Sequence, residues 1–162
     1  MDDSGSFLSG IIGADQAVAG EGMRCVSFET AFLRLIEPGP ADIDELGHVN
    51  NVVYYAWFDR AVNAYMIEQG GLDIQDGAIV GFIVESSCTY NSPITYPENI
   101  QAGLRVGKIG RSSVRHEVGI FRDGEDEAAA SGYFIHVFVD RATNKPVEIP
   151  ARIRAALDAL LI

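Results

Sequence analysis

A chain of 162 residues with 48% apolar side chains holds enough material for one domain with a proper core. Its formal net charge of -11 argues against nucleic acid as a partner, because such binding rests on neutralising phosphates, and no apolar run is long enough to span a bilayer. Cys25 and Cys88 lie far apart, with no C-x-x-C pair and no histidines grouped near them, so no disulfide framework, metal site or cofactor is expected.

The chain starts Met1-Asp2-Asp3-Ser4, acidic where a secretory signal needs positive charge, and with the cysteine usage this points to a cytoplasmic protein. Residues 1–24 are rich in Gly, Ala, Ser and Asp and read as an extension, leaving residues 25–162 as the domain. A strand is predicted over 28–36, stopped by Pro38-Gly39-Pro40. The main helix is predicted over 51–69. Between Val52 and Ile67 only Asp59, Arg60 and Asn63 are polar, which implies burial on most sides, and Gly70-Gly71 supplies the stop.

Four more strands follow. The first spans 79–90 and turns out through Asn91-Ser92-Pro93. The segments 100–109 and 113–121 flank the tight Gly110-Arg111-Ser112 connection, and Asp123-Gly124 turns into 128–139. Pro150 opens a last helix reaching Leu161. One strand, one apolar helix and four strands make an antiparallel sheet wrapped round a helix, since each layer buries the other's apolar face. Strand alternation puts Cys88 on one face with Phe82, Val84 and Tyr90, as a small core residue rather than a nucleophile. His116 and His136 have no ligand-like spacing and read as strand residues, and Tyr54, Trp57 and Phe58 read as packing first.

Chemistry concentrates in the run from Asp42 to Asn51, where two carboxylates, a glycine, an imidazole and two amides precede the apolar helix. Polar groups packed against a buried helix are costly unless partnered, so they suggest a site. Asp44 is placed to act as general base or nucleophile, or else to cap a turn. Asp42 reads as a turn or ion-pair residue, and Gly47 permits a sharp backbone bend. His48 brings an imidazole that invites a catalytic role and can equally position the loop or a bound group. Asn50 and Asn51 stand at the helix start, where free amides and the helix dipole can steady a developing oxyanion.

The pattern D-x-D-x-x-G-H-V-N-N-x-x-Y, from Asp42 to Tyr54, resembles that of the hot-dog-fold acyl-thioester hydrolases, in particular the branch containing the 4-hydroxybenzoyl-CoA thioesterase. The likeness runs from about Phe28 to Pro150. It implies an α+β hot-dog fold, an antiparallel five-stranded sheet wrapped around a long central helix, and an acyl-CoA thioesterase. It assigns Asp44 as the catalytic carboxylate and the Asn51 backbone amide as the group that polarises the carbonyl, with His48 and Asn50 beside them. Gly47 and Tyr54 fall at the substrate.

The partner implied is an acyl-CoA or acyl-carrier-protein thioester, bound by a homodimer or a dimer-of-dimers tetramer whose sheets join edge to edge. Arg105, Lys108, Arg111 and Arg115 lie in a stretch without acids, and the resemblance puts the carrier's phosphate end near that hairpin. Alternation cannot place all four on one face, so Arg111 and then Lys108 are the candidates for substrate binding.

Two departures stand out. Pro97-Glu98 replaces a frequent Gly-Asp, and Leu46 stands where plant acyl-carrier thioesterases have Asn. The competing functions are a hot-dog hydratase or dehydratase, whose G-H-F-P or D-x-N-P-x-H signatures differ from Gly47-His48-Val49-Asn50, and a non-catalytic acyl-CoA binding module.

Overall fold

A computed structural model of the protein describes residues 32–162. The extension 1–24, Cys25 and the first four residues of the strand predicted from Phe28 lie outside the described residues. The elements are β1 (Phe32–Ile36), a 3-10 turn (Pro40–Asp42), α1 (Asn51–Glu68), β2 (Ile79–Tyr90), β3 (Ile100–Ile109), β4 (Ser113–Arg122), β5 (Ala128–Asp140) and α2 (Ala151–Asp158). The five strands form one antiparallel sheet in the order β1-β3-β4-β5-β2. The sheet wraps α1, the hot-dog arrangement that the resemblance implies. No helix among the described residues is long and apolar enough to cross a membrane.

The register β2 to β5 and β3 to β4 gives the sheet two distinct ends. Tyr90 pairs Ala130 and Ile100 pairs Arg122 at one end; Ile79 pairs Asp140 and Ile109 pairs Val114 at the other. The start of α1 lies at the first end, because the Tyr90 hydroxyl donates to the Asn51 carbonyl at 3.0 Å. The 110–112 hairpin lies at the second, where the Phe138 amide donates to the Ser112 carbonyl. This separation decides which predicted site residues can meet.

Tyr54, Trp57, Phe58, Ala61, Val62, Tyr65 and Met66 form the buried stripe of α1, a spacing of three and four residues. Helix and sheet approach closely at Gly132, where an added Cβ would collide with the Ser87 carbonyl oxygen and stand 2.6 Å from the Phe58 ring, so a side chain there would disturb both β2 and α1. Predicted burial on most sides does not hold within the chain: Val52 is 69% exposed and Ile67 46%. One side of α1 rests on the sheet and the opposite side is open, so apolar composition all round does not produce burial all round.

Two other expectations are corrected. α2 stops at Asp158, and the chain end instead lies along β3: the Val106 amide donates to the Leu160 carbonyl and the Ile162 amide to the Val106 carbonyl. Among the described residues β1 pairs β3 as far as Leu104, and the backbone of Val106 takes partners from the chain end. In β2 the register shifts between Ile83 and Glu85. Phe82 pairs Val137 while Cys88 pairs Gly132, so this bulge puts Phe82 on the face opposite Cys88 and Tyr90. Cys88 is half-buried and packs against the core, as the sequence suggested.

Candidate active site

The backbone between the 3-10 turn and α1 folds into a narrow hairpin. Ile43 and Val49 pair, the Asp44 amide donates to the His48 carbonyl at 2.8 Å, and the Gly47 amide donates to the Asp44 carbonyl at 3.0 Å. Gly47 takes φ +80, the left-handed angle that closes the turn and that other residues resist. The Asp44 carboxylate serves the turn with one oxygen only. Oδ1 accepts from the Leu46 amide at 2.8 Å and the His48 amide at 3.3 Å. Oδ2 has no hydrogen-bond partner among the described residues and belongs to a side chain that lines an open cleft of about 340 Å³. Turn residue and available carboxylate are therefore the same group.

Asp42 is occupied locally, with Oδ2 accepting from the Gly39 amide at 2.8 Å and its carbonyl accepting from the Asn50 amide at 2.8 Å. Asn50 caps α1: its side-chain oxygen accepts from the Val52 amide at 3.2 Å and its carbonyl from the Val53 amide at 2.9 Å. The Asn51 amide, first in the helix, has no acceptor among the described residues. Asp44, Asn51, His48 and Tyr54 all line the cleft, and Gly47 shapes the turn that carries two of them. His48 is exposed at the mouth. Tyr54 is buried, and burial pushes its phenol above the ordinary value against the lowering effect of a backbone hydrogen bond at Ile94.

Lys108 and Arg111 do not join this group. Both are exposed and lie at the hairpin end of the sheet. The acid-free basic stretch does not act as one patch, because Arg105 and Arg115 both bond Glu117, at 2.9 Å and 3.2 Å. Glu117 stands directly across from Arg105 in the register.

Sequence reasoning missed Tyr90 as a site residue. It lines the cleft, stacks edge-on to Tyr54 with ring centroids 5.1 Å apart and anchors the Asn51 carbonyl. Partial burial and the neighbouring Cys88 thiol push its phenol up, so it stays a donor. The signal lay in the strand-ending Tyr90-x-x-Pro93, read there only as a turn.

A larger groove of about 440 Å³ runs beside Arg34, Glu37, Asp59 and Arg60. It does not include the Asp44 carboxylate or the first turn of α1, so it lacks the chemistry of the smaller cleft. Among the described residues no three His, Cys, Asp or Glu side chains are grouped as metal ligands.

Comparison with known proteins follows the same lines. The family model described as the thioesterase-like superfamily matches residues 38–157. The PA5185 protein of Pseudomonas aeruginosa is 50% identical, with 82% of this chain and 94% of that one covered, at a TM-score of 0.79. The PA2801 protein of the same organism is 29% identical over 76% of this chain and 95% of that one, at 0.72. The DHNA-CoA thioesterase of Staphylococcus aureus is 23% identical, covering 80% and 87%, at a TM-score of 0.69, a likeness of fold. None of the curated proteins matches the sequence.

Proposed function

Because the chain belongs to the thioesterase-like superfamily, we propose that it hydrolyses the thioester bond of acyl-CoA, with an acyl-carrier protein as the alternative carrier. The observation that carries this reading is the pairing of a half-engaged Asp44 carboxylate with an Asn51 amide that has no acceptor among the described residues, around one open cleft. A thioester carbonyl bound at the Asn51 amide meets a hydrogen-bond donor and the positive end of α1. Asp44 draws a proton from a water whose oxygen attacks the carbonyl carbon. Collapse breaks the C–S bond, and the departing sulfur takes the proton, giving a free acid and a free thiol.

Direct attack by Asp44 is the other route. It releases the thiol first and leaves a mixed anhydride that water then cleaves. Rapid mixing separates the two, since only the anhydride route gives a burst of thiol ahead of the acid. Asn50 fixes the helix start in either case, Gly47 fixes the turn, and His48 stands where it can steer the thioester. Tyr54 and Tyr90 wall the cleft.

Lys108 and Arg111 reach such a site only from a second copy. β2 is an edge strand with one side unpaired among the described residues, and exposed strand edges are normally covered. Two copies joined antiparallel through β2 would lay the hairpin end of one beside the Asp44 end of the other. The proposed assembly is thus a dimer, alone or doubled, with carrier phosphates near the second copy's Arg111. Light scattering that finds only monomer at micromolar concentration overturns it.

The deciding assay measures free thiol from a panel of acyl-CoA substrates, beside water addition to an enoyl-CoA. Thiol release with no hydration supports the hydrolase. Hydration alone would make the protein a hydratase, and binding without either product would make it a non-catalytic module.

A further inference from the structure

Arg122 closes β4 at the same end of the sheet as the Asp44 cleft. Its guanidinium is aimed entirely at the loop between β2 and β3 and at the turn after its own strand. Nε donates to Glu98 Oε2 at 3.1 Å, Nη1 to Ser92 Oγ at 3.1 Å and to Glu125 Oε2 at 3.2 Å, and Nη2 to the Pro93 carbonyl. Ser92 and Pro93 line the cleft beside Asp44 and His48. The next residue, Ile94, is fully buried, and its carbonyl accepts from the Val49 amide at 2.8 Å. That bond joins the Asp44 hairpin to the loop.

Glu98 completes the brace. Thr95 donates to it through its hydroxyl at 2.8 Å and its amide at 3.4 Å, so both ends of the loop are drawn to one guanidinium.

We infer that Arg122 is a positioning residue for this site: through Ser92, Pro93 and Glu98 it sets the loop that holds the Asp44 hairpin and the first turn of α1. The inference rests on the thioesterase reading. A rival role is contact with carrier phosphate, since Arg122 is a cation close to the cleft. Its guanidinium is already engaged by two carboxylates, a hydroxyl and a carbonyl, which leaves no free fork for a phosphate. The effect expected of a positioning group is on the geometry of the reacting atoms, where small displacements are costly.

Arg122→Lys keeps the charge and loses the planar fork. It should lower kcat about tenfold or more, leave the KM for acyl-CoA nearly unchanged, and lower turnover of a short acyl thioester lacking the nucleotide by the same factor. Hydrogen exchange at the Val49 amide should speed up in the variant as the Ile94 bond loosens. Glu98→Gln, which keeps the side chain's size but removes the charge that Arg122 pairs with, should move both readouts the same way by less. A raised KM confined to acyl-CoA would overturn the inference in favour of a phosphate contact. A lower melting temperature with unchanged kcat and unchanged Val49 exchange would reduce Arg122 to a brace of the fold. Should the parent protein release no thiol, the hydrolase reading fails by itself, and Val49 exchange in the two variants still decides whether Arg122 holds the hairpin.

Discussion

Two polar clusters rest on the same scaffold and differ in what is left open. At the Asp44 hairpin one carboxylate oxygen is held by two amides while the other has no partner among the described residues, at the edge of a cleft. Inside the sheet, His116 and His136 bond each other through Nδ1 at 3.2 Å, and the buried Nε2 of His116 has no partner among the described residues. The histidines are strongly perturbed: burial, then the neighbouring ring, pushes His116 well below the ordinary value, and burial pushes His136 down to about 4. Perturbed titration marks function only where a substrate can arrive. His116 is fully buried, so its perturbation bears on stability, whereas the Asp44 side can receive a ligand.

Asp44→Asn is the sharpest way to break that contrast. The amide keeps an oxygen for the Leu46 and His48 amides, so the turn and the melting temperature should persist. Turnover of acyl-CoA should fall at least about 100-fold, the scale of losing a general base. A mutant that folds and retains near-parent turnover would move the chemistry away from Asp44.

How legible each cluster was in the sequence follows from how local its determinants are. The start of α1 at Asn51 and the limits of β2 and β3 follow from breakers and alternation within a few residues, and the structure places them there. The Asp44 hairpin is equally local, since its glycine, cap and carboxylate lie within ten residues. What escaped depends on register. The bulge at Val84 reverses the face of everything before it, and nothing in Ile83-Val84-Glu85 announces an extra residue. The basic stretch looked free because it ends at His116, while the acid that engages two of its members is the next residue, Glu117. Arg122 was unreadable for the same reason, with Ser92 and Glu98 lying 30 and 24 residues away.

The histidine pair supplies the second test. Both folded-state values lie below the unfolded one, so between pH 6.5 and about 4 the unfolded chain binds more protons than the folded one. Stability is therefore complete above pH 6.5 and declines as pH falls toward 4. His136 contributes a slope that approaches at most about 1.4 kcal/mol per pH unit inside that window. His136→Gln should remove one histidine's share, and urea unfolding at pH 6 and pH 5 would show a shallower decline than the parent. Thiol release at pH 7 should be unaltered. Parallel pH dependence in parent and mutant would mean that His136 gains a proton in the folded state more readily than its burial allows.

Arg111 tests the smallest effect and the point at which the two ends of the sheet must cooperate. In one chain its side chain is exposed at the hairpin while its carbonyl accepts from the Ile149 amide at 3.0 Å, so the backbone is fixed and the guanidinium has no partner among the described residues. On an acidic chain, a carrier with several phosphates needs such a local reversal of field. If a second copy brings this hairpin to the cleft, Arg111→Ala should raise the KM for acyl-CoA a few-fold, roughly 1 kcal/mol or less for an exposed charge. A short thioester without the nucleotide should be unaffected. Added salt should weaken acyl-CoA binding more in the parent than in the mutant, because screening removes only what the charge supplied. Equal KM shifts on both substrates would place Arg111 in the frame of the hairpin rather than at the phosphates. No shift on either would leave Lys108 as the cation to replace next.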